Sequence, residues 1–200
     1  MFKNIFCFIV FTLFCHSAFA TPIKTQSSEQ SQSALNTSKT QFDHLSKLLE
    51  SHSLVEIGNT TFSILFWDLY QSKLATTSGQ YPLNGKNDFL LYEIKYLADI
   101  SSDDLIKRTE EQWQHIGLAE NEYQGFVSEL KVIWPDISKG DTLSLLVDSE
   151  ASHFYFNEAY IGSLVDESFG KVFLDIWLAE NTSQPDLRAE LLGEANNEKR

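Results

Sequence analysis

Strict alternation marks one segment as a strand before any other property is considered. In DFLLYEIKYLAD, Leu90, Tyr92, Ile94 and Tyr96 fall on one face, and Phe89, Leu91, Glu93 and Lys95 on the other. Upstream, TFSILFWDLYQSKL (61–74) gathers Phe62, Ile64, Leu65, Phe66, Trp67, Leu69 and Tyr70 around a single carboxylate, Asp68. A run that apolar on both faces predicts a strand in the middle of a sheet. Before it, SLVEIG predicts another strand, joined through a Gly58-Asn59 turn pair. Downstream, SKGDTLSLLVD enters a strand through a Gly-Asp turn, and HFYFNEAYIG reads as a hairpin turning at Asn157-Glu158.

Helical spacing appears elsewhere. Phe42, Leu45, Leu48 and Leu49 predict a short first helix. SSDDLIKRTEEQWQHIGL predicts a longer one, with Ser101 or Ser102 as cap, Asp103 and Asp104 in its first turn, and Leu105, Thr109, Gln112 or Trp113, and Ile116 inward. Tyr123, Phe126, Val127, Leu130 and Ile133 predict a third that begins near Glu120 and stops before Pro135. Phe169, Val172, Phe173, Ile176 and Trp177 follow the i, i+3, i+4, i+7, i+8 rule. In SQPDLRAELLG, Ser183 is the expected cap, Pro185 lies in the first turn and Gly193 is the stop. Strands, a helical pair, strands and a second helical pair describe an α+β domain, not alternating βαβ units.

The ends of the chain are built differently. MFKNIFCFIVFTLFCHSAFA has Lys3, an apolar run from Ile5 to Cys15 and a small-residue close at Ala18-Phe19-Ala20, the pattern of a signal peptide cleaved after Ala20. Residues 21–40, rich in Ser, Thr and Gln, read as a disordered polar tether. The expected domain is 41–195, with a frayed tail at 196–200. Both cysteines, Cys7 and Cys15, lie in the leader, so the expected mature chain has no thiol chemistry. It would be periplasmic or secreted, without a stable membrane anchor once the leader is removed. Loss of the leader removes Lys3 and no acid, leaving 14 basic against 28 acidic residues and a net charge of −14. Such a surface repels nucleic acid and anionic headgroups, so nucleic acid is not an expected partner.

Few residues point to chemistry. His44, His52, His115 and His153 occur singly, without metal-ligand spacing; no metal or other cofactor is expected. No glycine-rich phosphate loop or GxSxG turn occurs. Arg108 is a candidate clamp for a ligand carboxylate or phenolate, although it could equally pair with Asp104 or Glu111 at the surface. Tyr70, Tyr92 and Tyr96, with Trp67, could line a cleft or fill the core.

VEIGNTTFSILFWDLYQSKL, FLLYEIKYLADISSDDLIKRTEEQW, IWPDISKGDTLSLL, FYFNEAYIGSL and FLDIWLAENTSQPDLRAELLG together resemble the exported bacterial branch of the chalcone isomerase-like proteins. The resemblance implies a large antiparallel sheet covered on one face by helices, with a cleft between them. The plant enzymes of that family close chalcones there, and non-catalytic relatives hold fatty acids. Their arginine, threonine, tyrosine, lysine and asparagine positions fall on Ser53, Leu65, Leu105, Arg108 and Gln112. Only Arg108 keeps its character, with Gln112 a longer amide, so no catalytic residue is assigned. The expected function is binding of a small apolar or anionic ligand, a fatty acid or phenolic, by Arg108, Gln112, Tyr70, Tyr92 and Tyr96. The alternatives are an intramolecular lyase of the chalcone type and an envelope scaffold whose apolar strand docks a protein partner. If Arg108 serves the cleft, it should be buried on the sheet side of its helix.

Overall fold

A computed structural model describes residues 45, 49, 53–83, 85 and 87–194. The leader, the tether, the 196–200 tail and most of the expected first helix lie outside the described residues. Of that helix, Leu45 and Leu49 are both helical.

Six strands form one sheet in sequence order: β1 (Val55–Ile64), β2 (Trp67–Thr76), β3 (Leu90–Tyr96), β4 (Thr142–Val147), β5 (Ser152–Phe156) and β6 (Ala159–Leu164). Every neighbouring pair is antiparallel. Helices α1 (Ser102–His115) and α2 (Glu120–Ile133) interrupt the meander between β3 and β4, and α3 (Phe169–Leu178) and α4 (Pro185–Leu191) follow β6. The arrangement is α+β, as its sequence order predicts.

The alternation in β3 places Leu90, Tyr92, Ile94 and Tyr96 under the helices, in one buried cluster with Leu74, Leu145 and Phe154 from the sheet and Trp113, Leu130 and Phe173 from the helices. On the opposite face Leu91, Leu146 and Tyr155 meet Leu45 in a smaller cluster. Further along that face the side chains turn polar, as expected of an antiparallel sheet with one solvated side. The helices therefore cover one face, and Leu45 packs on the apolar end of the other.

The first hairpin differs from its sequence pattern. β1 runs straight through Gly58-Asn59, and the turn falls instead at Leu65-Phe66, between the paired residues Ile64 and Trp67. The apolar stretch 61–74 is thus not one central strand but the two sides of a hairpin, with β1 at the sheet edge. Gly58 is needed for a different reason. It lies directly under α4, where an added Cβ would overlap the Glu190 carbonyl oxygen and sit 2.6 Å from that of Leu191. The Thr60 hydroxyl donates to the Glu190 carboxylate across the same contact. Leu65 has φ +58°, a conformation that costs a non-glycine residue roughly 1–2 kcal/mol. Asp68 accepts from the Ser63 hydroxyl at 2.6 Å, beside the register shift between Phe62 and Ser63, and Lys73 pairs with Glu93.

Helix ends follow the sequence more closely. Ser101 caps α1 by accepting from the Asp104 N–H at 3.1 Å, and α2 stops at Ile133, ahead of Pro135. Ser183 is not the α4 cap. Gln184 occupies that position without a side-chain bond, and the Ser183 hydroxyl reaches back to α1, donating to the Gln112 Oε1 at 2.6 Å. At β5–β6, Asn157 and Glu158 both adopt positive φ, 48° and 69°, closing the predicted hairpin.

Candidate functional site

The helix-facing side of β2 and β3 brings three tyrosines together. Tyr70 pairs with Tyr96 across the strands, their ring centroids 6.3 Å apart. Tyr92 lies four residues before Tyr96 on the same face, and its ring meets Trp177 of α3 at 4.8 Å. The Trp177 indole N–H in turn donates to the Tyr70 hydroxyl at 2.9 Å. Phe62 of β1 extends the group towards the hairpin end, 5.1 Å from Tyr70. The result is an aromatic seam between sheet and α3, half-open at Phe62, Tyr70 and Trp177 and closed at Tyr92 and Tyr96.

Two polar atoms in this seam lack hydrogen-bond partners: the Tyr92 hydroxyl and Ser72 Oγ. Such groups are uncommon in a well-packed interior, because each forfeits its bonds to water without replacement. The Ser72 hydroxyl lies close enough to offset part of the shift in Tyr92 acidity, yet neither group completes a hydrogen bond.

Burial sets the protonation of the seam. It pushes the Tyr70 phenol up to about 12, with the Trp177 bond acting slightly in the other direction. It also pushes Tyr92 well above its ordinary value, helped by Tyr70 and Tyr96, and raises Tyr96 with a contribution from Tyr70. The ionised phenolate is the penalised form in each case. All three are therefore neutral hydroxyls near pH 7, suited to donating a hydrogen bond to a ligand oxygen and poorly suited to removing a proton.

Of the five residues named from the sequence, the structure joins these three and separates the other two. Gln112 is half-buried and engaged by Ser183. Arg108 is not buried on the sheet side of α1. Its side chain is 70% exposed and pairs with Glu111 one turn along at 2.8 Å, so the surface ion-pair alternative describes its geometry. The reason is angular. Leu105, Ile106, Thr109 and Trp113 occupy the buried face of α1, and Arg108 lies beside that stripe. Leu65 projects from the hairpin tip. Trp177 was absent from the named set. Its signal was its place at i+8 from Phe169, on the inner face of a helix that must lie on the sheet.

Two surface concavities are lined by none of the seam's aromatic rings. One, of about 400 Å³, is on the sheet between Asn59, Gln71, Ser72, Lys73, Glu93, Lys95 and Thr142, and so shares Ser72 with the seam. The other, about 550 Å³, lies beside the start of α1 among Asp99, Asp104, Arg108 and Asp136. Among the described residues no grouping of three or more His, Cys, Asp or Glu side chains could hold a metal ion. No described helix is long and apolar enough to cross a membrane.

A six-stranded meander with helices on one face and an aromatic seam between the layers defines an α+β sheet-and-helix domain. The chain belongs to the chalcone isomerase-like family, whose profile matches residues 58–193. An uncharacterized protein of Haemophilus influenzae is 24% identical over 141 residues, covering 70% of this chain and 69% of that one. Among solved structures, a fatty-acid binding protein of Arabidopsis thaliana superposes with a TM-score of 0.54 at 11% identity, over 72% of this chain and 88% of the other. At that identity the likeness establishes the fold.

Proposed function

We propose that this is an exported, non-catalytic member of the family that binds a small apolar ligand with one oxygen acceptor, of the fatty-acid or phenolic class, in the seam between the sheet and α3. The observation that carries this reading is the pair of buried, unpartnered hydroxyls, Tyr92 and Ser72, set among aromatic rings. A ligand oxygen would supply the missing partner while its apolar body replaces ring-to-ring contacts. Entry would be from the half-open end, past Phe62, Tyr70 and Trp177. The fatty-acid binding of the plant neighbour supports the ligand class. Tyr70, Tyr92 and Tyr96 form the proposed lining, with Gln112 at its margin. Arg108 is left out of the lining because of its exposure, so the ligand is bound through hydrogen bonds and apolar contact, not through an ion pair. The lyase alternative gains no support from Arg108 or Leu65, both of which face solvent.

The test is palmitate titrated into delipidated protein, read by tryptophan fluorescence and by native mass spectrometry. Micromolar binding of one equivalent is expected, weakened by Tyr92→Phe. Absence of binding for palmitate and for simple phenolics up to their solubility limits overturns the reading. Export is tested separately by the N-terminus of the protein recovered from its own cells, expected to be Thr21.

A further inference from the structure

The tip of the β1–β2 hairpin breaks two ordinary rules at once. A two-residue turn with positive φ at its first position normally takes glycine there, yet the residues are Leu65, at φ +58°, and Phe66. Large apolar side chains are normally withdrawn from water, yet Ile64, Leu65, Phe66 and Trp67 are 52, 87, 96 and 74% exposed. There is no charged residue from Ile57 to Trp67, and the first one met, Asp68, has its carboxylate bonded by Ser63.

We propose that this tip is a peripheral membrane-docking wedge that inserts Leu65, Phe66 and Trp67 into the interface of a zwitterionic lipid bilayer. The shape is convex, so it fits a deformable medium and needs no matching pocket. Its composition, Trp beside Phe and Leu without charge, is what interfacial insertion uses. The area argues against a second copy as the occupant. Four side chains this exposed present roughly 600 Å², short of the about 800 Å² that each partner contributes to a stable protein interface. Tip-to-tip pairing would also bring together two chains of net charge −13. The same charge disfavours anionic headgroups, which is why the surface is zwitterionic. None of the four residues belongs to the tyrosine seam, so the inference is independent of the ligand.

The experiment is flotation of the purified chain with phosphatidylcholine vesicles, alongside quenching of tryptophan emission by brominated phosphatidylcholine. Trp67 is the reporter, since Trp113 and Trp134 are buried and Trp177 half-buried. The double variant Leu65→Gly, Phe66→Ser gives the turn the residues it ordinarily takes, so its urea midpoint should equal or exceed that of the parent. The parent should float and be quenched, the variant should bind at least tenfold less tightly, and contributions from the rest of the chain cancel in the comparison. Adding phosphatidylglycerol should weaken binding at low salt. The proposal is overturned by a parent that stays unbound, by a variant that binds equally, by tighter binding to phosphatidylglycerol vesicles, or by a dimer in sedimentation that the variant abolishes.

Discussion

Replacing Tyr92 by Phe removes a single oxygen from the seam, and the sign of the stability change tests whether that oxygen is unpaired. A buried hydroxyl without a partner costs about 1–3 kcal/mol relative to one that has kept its water. The ring of Tyr92 is almost wholly buried, and its contact with Trp177 survives in phenylalanine. In delipidated protein the substitution should therefore stabilise by about 1 kcal/mol, after allowing for the small void it leaves. That corresponds to a rise in Tm of about 3–5 °C for a domain of this size. Ser72→Ala should act in the same direction, and because the two hydroxyls are neighbours that do not complete a bond to each other, their coupling in the double variant should stay below about 1 kcal/mol. Urea unfolding of the four proteins, with unchanged m, gives the cycle. With saturating palmitate that gain should be largely cancelled: the ligand's bond to Tyr92 is lost, and affinity falls about three- to tenfold, or 0.7–1.4 kcal/mol. A delipidated Tyr92→Phe protein less stable by 1 kcal/mol or more, or a coupling above about 1 kcal/mol between the two sites, would refute the assignment of an unpaired hydroxyl.

Other consequences can be checked on the same protein. The Tyr70 phenol is held up at about 12 when folded and ionises near 10 when unfolded, so its contribution is intact below pH 10 and lost as pH climbs from 10 towards 12. Tyr70's share of the loss across that window is about 2–3 kcal/mol, beside those of the other raised phenols, Tyr81 and Tyr155 among them, so falling urea midpoints alongside 295 nm absorbance should be shallower by about that amount in Tyr70→Phe. Gly58→Ala places a methyl against the Glu190 carbonyl and should cost more than about 2 kcal/mol, with faster proteolysis around α4 as the second readout. Arg108→Ala removes an exposed i,i+3 pair and should change stability by less than about 0.5 kcal/mol, leaving palmitate affinity within twofold.

The parts of the fold visible in the sequence were those where one periodicity dominated. β3 alternated because one face meets the helices while the other passes from the small Leu45 cluster at Leu91 to solvent at Lys95, and α2 and α3 carried their stripes at helical spacing. The first hairpin was not visible, because its turn is made from Leu65 and Phe66, residues that no turn rule selects, while the Gly58-Asn59 pair that resembles a turn serves the approach of α4. The seam was partly visible. Tyr92 and Tyr96 followed from alternation in β3, and Tyr70 from its place on the apolar stretch. Arg108 misled because a helix position one residue from the buried stripe leads to the interior or to solvent according to a rotation of a few tens of degrees, which spacing alone does not resolve. Ser183 misled for a related reason: its hydroxyl lies one residue ahead of the cap position, within reach of Gln112, and the bond across helices was the one formed.

The strand order has a kinetic meaning. Because every strand pairs with its neighbour in the chain, β1–β2 and β5–β6 close over two-residue turns, β4–β5 over residues 148–151 and β2–β3 over the longer 77–89 connection, while β3–β4 must wait for the whole segment from Tyr96 to Thr142 to fold back. Loop-closure entropy grows only logarithmically with length, and α1 and α2 shorten that segment as they form. The sheet is therefore two local meanders that can zip independently, β1–β3 and β4–β6, joined at one seam. The rate at which the domain folds should be set by the meeting of β3 with β4, and substitutions at Tyr92↔Leu145 or Ile94↔Leu143 should slow folding more than equally destabilising changes within either meander.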